Sequence, residues 1–349
     1  MRLPLKSPTV AAWLYACAFL IVALVCVGGA TRLTQSGLSI TEWKPIAGVI
    51  PPGDDVAWTA EFANYKKIPQ FAQINPHMTL EQFKGIYWWE WTHRMLARLL
   101  GAALVLPYII FLLMSEIPGR VVWRGGVAVG MVVLQGLVGW WMVASGLTKR
   151  IFVAPEMLMT HLGMALILLI WCVWSGIEAY EGEPRGRGAP ASWRTAAGIL
   201  VGLVVLQCLL GALVAGNQAG LVYNEWPLMN GQIAPFVDWS KGIGYNFFHD
   251  QGLVQFVHRT NAYIVLVYAI GFAVLLARKC QDDLIRGLSA TVAVLVCVQA
   301  TLGVLTLITV VNMALALLHQ LTAVCLVALT TVLAWNIARA DRAFRRSGF

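Results

Sequence analysis

Residues 90–100 read EWTHRMLARLL and residues 255–265 read QFVHRTNAYIV. Each opens a long apolar stretch with a His-Arg pair, and the likeness continues on both sides. Gln135 and Gly139 in the next apolar stretch correspond to Gln299 and Gly303. Before the quoted segments, Gly29-Ala30, Ser36-Gly37-Leu38 and Glu42-Trp43 correspond to Gly211-Ala212, Ala219-Gly220-Leu221 and Glu225-Trp226. His161 and His319 sit at similar depths in the stretches that follow. Matches at a nearly constant offset are an internal repeat, so the chain reads as two like units in tandem.

Each unit is a membrane unit. Of 349 residues, 59% are hydrophobic and 12% charged, about half the ~25% charged content of a soluble domain. This composition excludes a disordered chain, a collagen-like fibre and a disulfide scaffold. Residues 7–31 carry no charge and are too long for the ~7–15-residue apolar core of a cleaved signal peptide, so they form a retained first span. Further spans are expected at about 86–113, 121–145, 156–177, 195–215 and 251–277. Residues 287–338 form an uncharged run of 52, which at ~20 residues per crossing holds two helices turning near Asn312. The fold class is therefore an all-α integral membrane protein whose eight transmembrane helices form two tandem four-helix bundles. The expected boundaries are 1–178 for the first unit, 179–194 for a cytoplasmic linker and 195–349 for the second.

The net charge of +8 requires no nucleic acid, because it is distributed as a topology signal. Arg2 and Lys6, Arg120 and Arg124, Arg185, Arg187 and Arg194, Arg278, Lys279 and Arg286, and Arg339, Arg342, Arg345 and Arg346 fall on one side, against Lys149, Arg150 and Lys241 in the short loops opposite. The long loop 32–85 is discounted, since long loops cross largely regardless of charge. Both termini are thus expected in the cytoplasm, with loops 32–85 and 216–250 outside. An even number of crossings per unit relates the units by a pseudo-two-fold axis along the membrane normal. Inverted-repeat transporters need the opposite symmetry. The seven cysteines lie in spans, or at Cys280 on a span's flank, without a C-x-x-C pattern, and read as buried apolar filler.

His93, His161, His258 and His319 each follow the start of an even-numbered span by one or two turns, which places them at one level near the outer face. A single intramembrane His is often no more than a hydrogen-bond partner of a neighbouring helix. Four repeat-related ones on facing helices suit axial ligation of haem iron, one pair (His93, His161; His258, His319) per unit. Zinc or copper would need a third ligand at that level beyond Glu90. Arg94 and Arg259 could meet propionates or snorkel to headgroups, and Arg98 would support the same region. The units differ three residues before the first His, where one has Glu90 and the other Gln255. Glu90 shares a helix face with His93 and can pass protons or stabilise positive charge on a porphyrin substituent. It can equally form an i, i+4 ion pair with Arg94.

The segments GGATRLTQSGLSITEWKPIAGVIPP (28–52), EQFKGIYWWEWTHRMLARLLG (81–101), THLGMALILL (160–169), LLGALVAGNQAGLVYNEWPLMNGQIAP (209–235), FFHDQGLVQFVHRTNAYI (247–264) and LLHQLTAV (317–324) together resemble the haem A synthase family over essentially the whole chain. The resemblance implies an oxidoreductase that converts the C8 methyl of haem O into a formyl group by two hydroxylations and loss of water, giving haem A for cytochrome c oxidase. It implies that His93 and His161 hold the substrate haem O, that His258 and His319 hold a prosthetic haem b, and that Glu90 is catalytic, with Arg94 and Arg259 beside substrate and cofactor. Implied partners are the farnesyltransferase that makes haem O, cytochrome c oxidase assembly factors and an electron donor or acceptor of unnamed kind, with membrane lipid around a monomer or homo-oligomer and no nucleic acid. Some members carry cysteine pairs in the first and third outer loops, and this chain resembles the cysteine-free type of alphaproteobacteria and mitochondria. The absence of an Arg/Ser-rich transit segment favours a bacterial inner membrane. The alternative on the residues alone is a di-haem b subunit that oxidises quinol. Loop 32–85 is too long to lack structure, and its aromatics suggest either short helices capping the first haem or an aromatic belt.

Overall fold

The computed structural model describes residues 3–182 and 192–346, with side chains as far as 339. Its helices are α1 (Pro8–Leu33), α2 (Asp55–Tyr65), α3 (Pro69–Ile74), α4 (Leu80–Leu113), α5 (Gly119–Gly146), α6 (Pro155–Glu181), α7 (Trp193–Gly216), α8 (Ile243–His249), α9 (Gln251–Lys279), α10 (Asp283–Ile308) and α11 (Met313–Arg346). Among the described residues there is no strand, and eight helices are long and apolar enough to cross a membrane. These are α1, α4, α5, α6, α7, α9, α10 and α11.

The helix starts are written locally. Ser7 accepts the Val10 N–H ahead of Pro8, and Asp250 and Asp282 cap α9 and α10. Thr79 and Gln82 form a reciprocal capping box, which starts α4 earlier than the apolar stretch suggests. His93 is therefore about four turns into its helix, not one or two. The single uncharged run 287–338 does turn at its expected place. Asn312 accepts from the N–H groups of Ala314 and Leu315, and Val310 and Val311 both adopt left-handed backbone, φ 53° and 59°.

Around the first half, α1 packs on α4 and α6, and α5 packs on α4 and α6. Around the second, α7 packs on α9 and α11, and α10 packs on α9 and α11. Contacts of α6 with α7 and α11, and of α1 with α11, join the halves. This network is consistent with two four-helix bundles side by side. α1 and α11 are the most buried spans, as their central position requires. Since lipid is as apolar as a leucine side chain, close packing and polar contacts hold such helices together. Gly125 and Gly176 make room for Tyr108 and Tyr15, and Arg339 of α11 pairs with Glu181 of α6 at 2.7 Å.

Some boundaries shift. The helices absorb the flanks of the expected linker, since α6 continues to Glu181 and α7 includes Trp193 and Arg194. Residues 183–191, with Arg185 and Arg187, lie outside the described residues. Arg120 and Arg124 stand in α5, not in a loop, and Arg124 pairs with Glu178. The cysteines are all free, but Cys297 and Cys325 are exposed on helix faces and so are not buried filler.

Candidate functional site

Each of the four histidines lies against a glycine of the preceding membrane helix. A Cβ on Gly28 would approach His93 Nε2 to 3.2 Å; on Gly139, His161 Cε1 to 2.8 Å; on Gly211, His258 Cε1 to 3.2 Å; and on Gly303, His319 Cε1 to 2.9 Å. Any larger residue at these points would displace the ring. His93 lies close enough to His161, and His258 to His319, for their charges to interact. The repeat is therefore in register at Gly28 and Gly211, an offset of 183 that also relates Ser36 to Ala219 and Glu42 to Glu225. The match of Gly29 to Gly211 is one residue out.

A glutamine stands four residues before three of these glycines. Gln135 Nε2 lies 3.3 Å from His161 Nδ1 and donates to the His161 carbonyl at 2.9 Å. Gln207 Nε2 lies 3.1 Å from His258 Nδ1 and donates to the His258 carbonyl at 3.1 Å. Gln299 Nε2 lies 3.4 Å from His319 Nε2. The Gln299 carbonyl oxygen and His319 Nδ1 are both buried without a partner. A neighbouring amide thus lies against three of the four imidazoles, and Gln207 Nε2 is also 3.3 Å from His258 Nε2; turned to present its oxygen, such an amide would accept the ring N–H that a ligating histidine donates. Among the described residues no three His, Cys, Asp or Glu side chains come together. That disfavours a four-coordinate zinc site, whereas paired imidazoles suffice for a porphyrin, whose macrocycle supplies the other donors to iron. The residues present thus fit one haem per half.

Glu90 is 3% exposed. Its Oε2 accepts from Ser39 Oγ and from the Ile40 N–H, both at 2.8 Å, and its Oε1 accepts from Arg94 at 2.6 Å. The i, i+4 ion pair with Arg94 therefore forms. Arg94 also donates to the carbonyls of Ile40 and Glu42, and Arg98 to those of Lys44 and Pro45. Arg259 donates to the carbonyls of Tyr223 and Leu228 and to Gln255 Oε1. Both arginines following the histidines thus fasten the outer loop to its helix.

Gln255 occupies the place of Glu90 and meets the opposite chemistry. Its amide donates to the carbonyls of Ala219 and Val222, at 2.8 and 2.7 Å. At the offset of 183, the Val222–Tyr223 peptide is the counterpart of Ser39–Ile40. One presents its C=O to an amide, and the other presents its N–H to a carboxylate. Tyr223 is left-handed, φ 50°, as expected for a peptide turned over at that point.

The first site has the thicker outer cover. Trp58, Phe62 and Tyr65 of α2 pack with Phe83 and Tyr87 of α4, with Leu38 and Ile40, and with Val143 and Val153. Tyr65 is fully buried and accepts from Asn75 at 2.7 Å; burial raises its pKa from the ordinary value. The short helices expected in loop 32–85 are present as α2 and α3. Trp43 instead stacks on Trp140 of α5, ring centroids 5.8 Å apart. A groove of about 590 Å³, lined among others by Thr34, His77, Gln82, Ile86 and Trp89, opens beside the outer half of α4. Over the second site the cover is thin, with Ala219 packed on Leu213 and Val254.

Sequence reasoning passed over Ser39, Gln207 and Asn261. Gln135 and Gln299 stood out as repeat matches without a role, and Gln207 could have been found by carrying the same Gln-x-x-x-Gly spacing to Gly211. The chain matches the family of cytochrome oxidase assembly proteins designated COX15-CtaA over residues 11–331. It is 51% identical over 335 residues to the heme A synthase of Caulobacter sp. (strain K31), covering 96% of this chain and 97% of that one. It is 49% identical over 338 residues to the heme A synthase of Caulobacter vibrioides, covering 96% and 97%. To that of Bradyrhizobium sp. (strain ORS 278) it is 44% identical over 335 residues, covering 95% and 90%. The chain belongs to the COX15-CtaA family.

Proposed function

We propose that this membrane protein is a haem A synthase. It oxidises the C8 methyl of haem O, held in the first half by His93 and His161, while His258 and His319 hold a prosthetic haem b in the second. Family membership and close relatives of that name support the reaction. The assignment of the halves rests on one observation: each half has a histidine pair, but only the first has a buried carboxylate one turn away, in a cradle of donors built for it.

A bound haem b supplies one-electron chemistry at the second pair. The chain's own groups do the rest. His93 and His161 orient the substrate so that its C8 edge can be presented to Glu90. Both Glu90 oxygens are already committed to Ser39, Ile40 and Arg94. The geometry therefore supports a fixed negative charge that stabilises positive charge developing on the substituent, rather than uptake of its proton. Arg94 and Arg259 bring positive charge to the outer side of each porphyrin, where propionates would lie, while closing the loop. The aromatic cover of α2, Phe83 and Tyr87 excludes water from the first site. In this reading both termini face the cytoplasm of a bacterial inner membrane and the sites lie toward the periplasm. Haem O arrives from its farnesyltransferase, haem A leaves toward oxidase assembly factors, and a separate partner exchanges electrons.

Haem extraction from the purified full-length protein tests the proposal. Haem B together with haem O or haem A is expected. Haem B alone would point to a quinol-oxidising di-haem b subunit, and no haem at all would overturn both readings.

A further inference from the structure

The amide that holds three of the histidines is missing from the fourth. Four residues before Gly28, where Gln207 stands in the second half, α1 has Leu24, which is 8% exposed. Among the described residues none hydrogen-bonds the His93 ring. A second replacement accompanies the first. Gln207 is held from behind by Asn261, whose Nδ2 donates to Gln207 Oε1 at 2.7 Å, and Asn261 is 6% exposed. At the offset of 165 that relates His93 to His258, the counterpart of Asn261 is Leu96, which packs into the apolar core. Where the second half has a buried amide pair, the corresponding positions of the first half hold two leucines. Without Asn261 the Gln207 carbonyl oxygen would lose its donor, and without Gln207 the Asn261 amide would lose its acceptor, in an apolar setting.

Resting on the functional reading above, we propose that this pair sets how long each site keeps its porphyrin. Gln207 and Asn261 are positioning residues: Gln207, held by Asn261 and bonded to the His258 carbonyl, lies against the imidazole and fixes the plane of the ring for a permanent cofactor. Leu24 and Leu96 leave His93 able to rotate, so that substrate can be taken up and product released. Neighbouring groups that orient a metal-bound histidine change metal affinity by about 10–100-fold, which is the difference expected between a resident group and one that turns over.

The test uses the full-length protein in detergent, loaded with haem, and follows transfer to excess apomyoglobin. The wild type should release one haem quickly and one slowly. Leu24→Gln combined with Leu96→Asn should slow the fast phase about 10–100-fold. Gln207→Leu combined with Asn261→Leu should speed the slow phase by a similar factor. It should also shift the low-spin electron paramagnetic resonance signal of that haem, because the g anisotropy follows the orientation of the imidazole planes; a purely structural role would leave this signal in place. If the leucine-to-amide variant fails to fold, the second variant decides. Unchanged release phases and an unchanged signal in protein carrying two haems would overturn the proposal and leave the functional reading intact. Wild-type protein unable to bind two haems would overturn that reading itself.

Discussion

The same peptide group is turned in opposite directions in the two halves. Ser39–Ile40 offers Glu90 an N–H and a hydroxyl, while Val222–Tyr223 offers Gln255 a carbonyl. A change of one side-chain atom, oxygen for nitrogen, is thus matched by the backbone that faces it. A buried donor set facing a buried acceptor is inexpensive, whereas two donors or two acceptors facing each other are costly. The turn costs the second half a left-handed Tyr223, worth about 1–2 kcal/mol. The carboxylate of the first half is therefore a built feature, with its own receptor in the loop, and not a neutral drift from glutamine.

The comparison can be broken most severely at the histidines. Replacing His161 or His319 with alanine should remove one of the two haems and spare the other, as read by haem stoichiometry per chain. Loss of both from a single replacement would mean that the halves are not independent sites. Next in size is Glu90→Gln. The amide oxygen can still accept from Ser39 and Ile40, while its nitrogen meets Arg94 and costs some stability; formyl production should fall by about 10²–10³-fold while haem content is kept. Full activity in that variant would remove the carboxylate from the mechanism.

A smaller effect is expected from the reciprocal change. Gln255→Glu sets a carboxylate against the carbonyls of Ala219 and Val222 and should cost about 2–4 kcal/mol, seen as a lower unfolding midpoint in detergent. No loss would mean that the 222–223 peptide turns over freely to follow the charge. The smallest effect concerns the turns. The halves connect their last two helices differently, by residues 147–154 in the first and by 309–312 in the second, where the exposed Val310 is left-handed. Val310→Gly should raise stability by about 1 kcal/mol, measured by the same unfolding transition.

Much of this fold was legible in the chain itself. A bilayer demands ~20 apolar residues per crossing, so the eight spans follow from runs of composition, and Asn312 marks the last turn because it can cap the helix that follows. The repeat placed four histidines on the even-numbered spans. Helix ends were less legible. Thr79 and Gln82 extend α4 well beyond its apolar part, and Arg120, Arg124 and Arg339 stand in helices beside carbonyl or carboxylate partners, not on an apolar pattern.

Side-chain partnerships were not legible. Nothing in the order of residues states that Gln207 meets His258 across two helices, that Arg94 reaches the loop carbonyls as well as Glu90, or which way the 39–40 peptide faces. What the sequence by itself determined is therefore what depends on local composition and spacing: the membrane class, the number of crossings, the repeat and the residues shared with the family. Only the tertiary structure decided the partners of Glu90 and of each imidazole. A buried polar group must find its complement, and that complement is chosen by which helices and loops meet in space, often more than fifty residues apart along the chain.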